Sequence, residues 1–180
     1  MQSFRNAALH FSIDVPPGWV LLPGAWAKKL KMTGASTSEG LAHTLSKASE
    51  PLMSMYLPQE NPIAAVPTVQ CTVKPTSIMS AFGTLGSVIE ATIPQLAMAF
   101  PDFELLERFD TLLFAGVRSA YMKSSMSVLN EDHVRYPCMS ELYICHSPQA
   151  IFMFGFTGSS DPALRPTDDM AAIKRSIRLH

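Results

Sequence analysis

The stretch between residues 118 and 156 constrains the fold most, because it contains three strand-like segments separated by short turns. Arg118–Val128 and Cys138–His146 alternate apolar and polar side chains, which is the period of a half-buried strand. Ile151–Phe156 is apolar almost throughout, and such a strand is typical of a central position covered on both faces. Three consecutive strands with short connections predict an antiparallel meander.

Earlier segments predict further strands. His10–Val15 alternates strictly and ends at Pro16-Pro17-Gly18, since proline donates no hydrogen bond to a ladder and glycine permits a tight turn. The proline-rich stretch between residues 51 and 75 predicts loops and edge strands. The strand candidates within this stretch are Leu52–Leu57 and Val69–Val73. Phe103–Phe109 is a later candidate, and Thr111–Val117 is either a further strand or its continuation.

Two segments have helical periodicity. Leu85–Phe100 carries one apolar stripe, and Pro94 within it predicts a kink or an early end of the helix. The second helix follows Thr167, which is a suitable N-cap, and Asp168 and Asp169 place negative charge at the positive end of its dipole. Its buried stripe is Met170, Ile173 and Ile177, and Lys174, Arg175 and Arg178 lie near its end. Trp26–Met32 fits either a short helix or a strand, and Thr33–Ser49 has the composition of a loop.

Composition predicts one domain spanning residues 1–180 and restricts the classes of partner. Of the 180 residues 47% are hydrophobic and 16% are charged, and the net charge is -1. Nucleic-acid binders usually carry a basic surplus, so we expect no nucleic-acid partner; the run Lys28, Lys29 and Lys31 is interpreted as a solvated edge. No apolar window has the length of a signal peptide or a membrane span. The chain is therefore expected to be soluble, and cytoplasmic if Met1 is the native start.

The cysteines and histidines do not form a recognisable reactive or metal-binding pattern. Three cysteines, Cys71, Cys138 and Cys145, argue against a disulfide framework. Cys138 and Cys145 are seven residues apart on one predicted strand and should face opposite sides of the sheet, so a zinc site with His133 and His146 is not favoured. A Cys–His nucleophile using His10 or His133 is not favoured either, because apolar surroundings predict inert thiols.

Two other kinds of site are also weakly indicated. Gly83 and Gly86 precede a helix, whose N-terminus can bind anions, but no phosphate-loop motif is present. The acidic residues around Phe103–Phe109 resemble a solubilising rim or a surface for a basic partner more than a pair of catalytic carboxylates. These residues are Asp102, Glu104, Glu107 and Asp110. We therefore predict no catalytic, cofactor-binding or metal-binding residue and no cofactor.

The opening FRNAALHFSIDVPPGW combines an aromatic residue, a nearby Asn, an alternating strand and a Pro-x-Gly-Trp end. It resembles the start of PsbP/Mog1-like proteins. The order that follows, from a proline-rich strand region through a helix and a meander to a C-terminal helix reading IKRSIRL, is similar as well. The resemblance implies an α+β fold with a central antiparallel β-sheet flanked by helices, an α/β/α sandwich. The group that the resemblance implies is mostly non-enzymatic and includes accessory subunits, a Ran-binding import factor, secretion chaperones and bacterial proteins of unassigned role. This sequence is most similar in character to those bacterial proteins.

These observations favour a non-catalytic binding or accessory module that recognises a protein partner or an apolar ligand. A chaperone-like protein that shelters hydrophobic segments of a secreted partner is one alternative, and it requires a concave apolar sheet face. An enzyme with an unrecognised site is another, and it requires a pocket where polar groups converge. A structural subunit that self-associates through an edge strand is the third.

Overall fold

The computed structural model describes residues 2–23, 51–59, 63–129 and 133–179. The predicted segment Trp26–Met32 with its lysines, the loop Thr33–Ser49 and the turn at residues 130–132 lie outside the described residues. The strands are β1 (Gln2–Asn6), β2 (Phe11–Val15), β3 (Val20–Pro23), β4 (Met53–Tyr56), β5 (Thr68–Lys74), β6 (Glu104–Phe114), β7 (Val117–Leu129), β8 (Arg135–His146), β9 (Ile151–Ser159) and β10 (Arg178–Leu179). The helices are α1 (Met79–Phe82), α2 (Leu85–Ala99) and α3 (Thr167–Ser176).

The strands of the described residues form two antiparallel sheets. The large sheet has seven strands in the order β3-β4-β5-β9-β8-β7-β6, and the small sheet has three in the order β1-β2-β10. Each strand from β6 to β8 pairs with the next strand along the chain, and β9 then pairs with the earlier strand β5. The predicted α+β class and the antiparallel meander are therefore confirmed.

Strand β9 lies at the centre of the large sheet and is covered on both faces, as its apolar sequence predicts. Phe152, Phe154 and Phe156 pack against the small sheet and α3. Ile151 and Met153 point to the other face and pack against α2. The domain is thus a three-layer arrangement, with α2 on one side and the small sheet plus α3 on the other.

The small sheet is attached through the strand that the alternation at residues 10–15 predicts. Phe11, Ile13 and Val15 are buried, and Phe11 lies 5.5 Å from Phe152 and 5.6 Å from Phe154 between ring centroids. The turn after β2 has Gly18 at φ 83°, a conformation that glycine adopts without steric cost.

Two strand predictions need correction. The stretch between residues 51 and 75 predicts edge strands, yet β4 pairs with β3 and β5, and β5 pairs with β4 and β9, so both are internal. Pro67 and Pro75 fall just outside the strand. Every residue of β5 therefore keeps its N–H donor, which an internal strand requires.

The helix boundaries also depart from expectation. The early end predicted at Pro94 is wrong, because α2 continues through it to Ala99. Because proline has no N–H, the backbone carbonyl of Glu90 loses the helical hydrogen bond that residue 94 would otherwise donate. Glu90 and Pro94 are both exposed, so water can donate a hydrogen bond to that carbonyl instead. Thr167 is not the N-cap of α3, since the cap position is taken by Pro166 and no side chain caps the helix.

Residues 104–114 form one edge strand rather than two. β6 joins β7 through Phe114-Ala115-Gly116-Val117, where Ala115 has φ 53° and Gly116 has φ 79°. Two positive φ values are those of a type I′ hairpin turn, which favours Asn-Gly. Phe114 stacks on Tyr143 with ring centroids 4.0 Å apart, so packing against the sheet holds the unfavourable alanine conformation.

Replacing Ala115 with asparagine should therefore stabilise the protein. A left-handed conformation is unfavourable for alanine and better tolerated by asparagine, so Ala115→Asn is expected to raise the free energy of unfolding by about 1 kcal/mol in urea titration. The matched control is Ala172→Asn in α3, an exposed helical position, which should lower it by about 0.5 kcal/mol. A loss of stability at both positions would contradict the turn assignment.

The hydrogen bond between Trp19 and α3 gives a second stability prediction. Trp19 is buried, and its Nε1 donates to Asp169 Oδ2 at 2.9 Å. Asp169→Ala removes the acceptor of a buried donor and should lower the free energy of unfolding by about 1–3 kcal/mol. Asp169→Asn keeps an oxygen acceptor and should retain most of that stability. Equal losses in the two variants would assign the effect to charge at the helix N-terminus instead.

Candidate functional site

Strand β6 concentrates exposed apolar side chains at one edge of the large sheet. Four of its residues are large, apolar and exposed, and they span about 27 Å at the usual rise per strand residue. They are Leu105 (37%), Leu106 (44%), Phe109 (49%) and Leu113 (80%). We call these four residues the β6 patch. An exposed group of this kind marks an interaction surface more often than an isolated apolar residue does.

The backbone of β6 is irregular at two places. Its register with β7 shifts between Leu105 and Glu107 and again between Phe109 and Leu112. Bulges of this kind interrupt regular pairing and increase the local twist, and edge strands use them to prevent indiscriminate sheet addition. The strand therefore presents side chains to a partner more readily than it presents a continuous backbone ladder.

The acidic residues near β6 are divided between structural and exposed roles. Asp102 Oδ1 accepts a hydrogen bond from Ser127 N at 3.1 Å, and hydrogen bonding from Ser127 lowers the pKa of Asp102. Asp110 accepts from Arg108 Nε at 2.6 Å. Glu104 and Glu107 are exposed on β6. Of the predicted acidic cluster, Glu104 and Glu107 thus lie at the border of the β6 patch.

Gly86, in the first turn of α2, serves packing, whereas Gly83 has φ 74° in the turn before the helix and open space around it. Thr84 Oγ1 accepts from Ser87 N at 3.1 Å and caps the helix. A Cβ on Gly86 would lie 2.8 Å from Asp110 Cγ. Gly86 therefore allows a carboxylate of β6 to approach the first turn of α2, where its negative charge is favourable. This arrangement supports the turn interpretation over a phosphate site.

The cysteines are placed as the sequence predicts. Cys138 and Cys145 lie on opposite faces of β8, in different apolar clusters. Cys71 and Cys145 are buried in the same cluster but on strands separated by β9, and all three thiols are free. His10 and His133 are exposed, so the structure does not bring them to the buried thiols. Among the described residues, no group of three or more His, Cys, Asp and Glu side chains is arranged to hold a metal ion.

A shallow cleft of about 210 Å³ separates α3 from β8 and β9. Lys174 and Glu141 form an ion pair across it, with Lys174 Nζ 5.0 Å from the Phe156 ring centroid. Arg165 donates from Nε to Ser159 O at 2.8 Å and from Nη2 to Ser160 O at 3.0 Å. The charged groups of the cleft are thus engaged in fastening α3 to the sheet.

Sequence reasoning did not identify the β6 patch. Its apolar residues are ordinary for a strand, and nothing in their spacing shows that β6 is the last strand of the sheet. The available signal was the mixture of leucine and acidic residues between residues 104 and 113, which suits an edge better than a core strand. None of the helices in the part of the chain that the structure describes has the length and apolar character that a membrane crossing requires.

Burial of the thiols predicts low reactivity. Burial raises the pKa of Cys138 to about 11 and that of Cys145 to about 12, and it raises the pKa of Cys71 well above its usual value. At pH 8 only about a thousandth of Cys138 would then be thiolate. A disulfide reagent such as DTNB should label the native protein very slowly and all three cysteines at once in urea. Rapid labelling of one thiol in the native protein would contradict this.

Comparison with known proteins supports the fold and nothing finer. No family model matches the chain, and no curated protein matches it. The structure is similar to that of the cyanobacterial PsbP protein CyanoP from Synechocystis sp. PCC 6803, with a TM-score of 0.55 and 12% sequence identity, covering 99% of this chain and 92% of that one. It is also similar to LpqN, involved in cell envelope biogenesis of Mycobacterium tuberculosis, with a TM-score of 0.48 and 12% identity over 93% of this chain and 82% of that one. The chain therefore has the PsbP-like α+β fold that its sequence predicts.

Proposed function

We propose that this protein is a non-catalytic binding or accessory module that docks a protein partner on the β6 patch. The observation that carries the proposal is the concentration of exposed leucine and phenylalanine side chains on one edge strand. The PsbP-like fold, which CyanoP shares, is consistent with an accessory role, but fold alone does not assign one.

The patch is suited to side-chain recognition. Phe109 stacks on Tyr121 with ring centroids 5.9 Å apart, so its ring is held in place before a partner arrives. A pre-positioned aromatic side chain loses little conformational entropy on binding, which favours affinity. Leu113 is the most exposed member of the patch and precedes the type I′ turn. Phe109 pairs with Tyr121 and Leu113 with Arg118, so the two side chains point to opposite faces of this edge. The partner would therefore contact β6 from both faces of the edge.

The border of the patch suggests the partner's charge. Glu104 and Glu107 are exposed beside the apolar residues, whereas the Arg108 guanidinium is engaged with Asp110. A partner with an apolar core and basic residues at its rim would complement this edge, because rim charges of opposite sign favour association.

The packing of the sheet favours docking at this edge over sheltering of a hydrophobic segment. A chaperone-like role needs a concave sheet face lined by free apolar side chains. Here α2 packs on one face of the large sheet, and the small sheet with α3 packs on the other. The apolar side chains of β9 are therefore already in contact with the protein's own layers.

The proposal is tested by capture from lysate of the native host with the tagged protein and a β6 variant, Leu106→Ser/Leu113→Ser. The partner should be recovered with the wild type and reduced by about tenfold or more with the variant, because truncating well-packed interface residues commonly weakens binding by 1–2 kcal/mol each. A photo-crosslinking residue at position 113 should join the same protein covalently.

The matched control is Met98→Ser, which removes an apolar side chain that is 85% exposed on α2. Met98→Ser should capture the partner as well as the wild type does, and circular dichroism should show that both variants are folded. Docking on β6 would be contradicted if Met98→Ser and the β6 variant lost capture of the partner equally. It would also be contradicted if neither variant changed the amount of partner captured.

A further inference from the structure

The register of the small sheet brings two arginines to the sides of one serine. Arg5 of β1 and Arg178 of β10 both pair with Ser12 of the middle strand β2. Directly paired residues on neighbouring strands share a face of the sheet. With strands about 4.8 Å apart, the two arginine backbones lie about 10 Å from one another with the serine hydroxyl between them.

This row lies on the outer face of the small sheet. The neighbours of these three residues point inward: Phe11 and Ile13 are buried in the main core, and Phe4 and Leu179 pack against it. Arg5 and Arg178 are exposed, and Ser12 is half-buried. The face away from the core therefore presents two guanidinium groups and a hydroxyl.

The adjoining β1–β2 turn adds a concave wall. His10 N donates to Ala7 O at 3.2 Å, and Leu9 N donates to Asn6 Oδ1 at 3.1 Å. These bonds hold the turn with His10 exposed at φ 51°. Arg5, Asn6, His10 and Ser12 line an open hollow of about 470 Å³ at this end of the sheet.

The two arginines differ in how they are held. Arg178 Nη1 donates to Ile177 O at 2.9 Å and also to Arg175 O, which fixes that guanidinium at the end of α3. Within the described residues, the Arg5 guanidinium takes part in no hydrogen bond or ion pair. It is therefore available to a ligand without breaking an internal bond.

The local charge is positive although the chain as a whole is not. The net charge is -1, yet Arg5 and Arg178 are both exposed on the strands that flank Ser12. The carboxylate nearest to them along β2 is Asp14, two pairs beyond Ser12 on the same face, opposite Ser3. Neighbouring like charges repel, and a bound anion would relieve that repulsion.

We propose that the outer face of the small sheet, at Arg5, Ser12 and Arg178 beside His10, binds a phosphate group. The Arg5 guanidinium matches phosphate oxygens with paired N–H donors, and the Ser12 hydroxyl beside it supplies a further donor. Arg178, whose Nη1 is held by two backbone carbonyls, adds positive charge on the neighbouring strand. The site is open, so it suits a terminal phosphate on a small molecule or on a lipid headgroup. This inference is independent of docking on β6, because β6 and the small sheet are separate elements.

The test is a titration followed by amide signals in two-dimensional NMR. Inorganic phosphate, compared with sodium chloride at equal ionic strength, should shift the amides of Arg5, Ser12 and Arg178. Arg5→Gln should weaken the apparent affinity by about tenfold, because a charge-assisted hydrogen bond contributes about 1.5–3 kcal/mol. The control is Arg118→Gln, which removes an exposed arginine on β7 and should leave the affinity unchanged.

A sedimentation assay distinguishes the source of the phosphate. If the phosphate belongs to a lipid headgroup, the wild type and Arg118→Gln should sediment with vesicles of phosphatidylcholine and phosphatidic acid, and Arg5→Gln should not. Binding of inorganic phosphate without binding to these vesicles supports a soluble ligand. The proposal is overturned if neither probe binds. It is also overturned if Arg5→Gln and Arg118→Gln lose binding equally, which would show general attraction to charge.

Discussion

The structure depends on the burial of β9 from both sides. Its phenylalanines at 152, 154 and 156 contact the small sheet and α3, and Ile151 and Met153 contact α2. An apolar strand with no polar face has to be central, because each face needs its own covering layer. A separate layer covers each face, so the loss of either layer would expose large apolar side chains to water.

That arrangement directs function to the periphery. The interior is occupied by the protein's own layers, and the cleft beside α3 has its charges engaged in the Lys174–Glu141 pair and in the hydrogen bonds of Arg165. Two accessible surfaces of the described residues are the β6 edge, which is apolar with an acidic border, and the outer face of the small sheet, which is basic. The two surfaces differ in chemistry, so a protein partner and a phosphate group would not compete for the same side chains.

Several features of the fold could be predicted from the chain because their signals are local. Alternation at Phe11, Ile13 and Val15 and the apolar run in β9 follow from the two-residue period of a strand, and both segments are buried as expected. The helix through Pro94 could not be predicted, because whether the freed carbonyl of Glu90 meets water depends on which side of α2 faces the sheet. The left-handed conformation of Ala115 could not be predicted either, because the stacking of Phe114 on Tyr143 that accompanies it joins residues far apart in sequence.

The sequence by itself determined the α+β class, the meander, the central position of β9 and the burial of the cysteines, because periodicity and residue type carry that information over a few neighbouring residues. Only the tertiary structure decided that β5 is internal, that β6 is an edge and that Arg5 and Arg178 flank Ser12. Strand order joins residues that are distant along the chain, as with the pairing of Ser12 and Arg178. Both candidate surfaces depend on such pairings, and the mixture of leucine and acidic residues in β6 is the one local signal that the sequence offers for either of them.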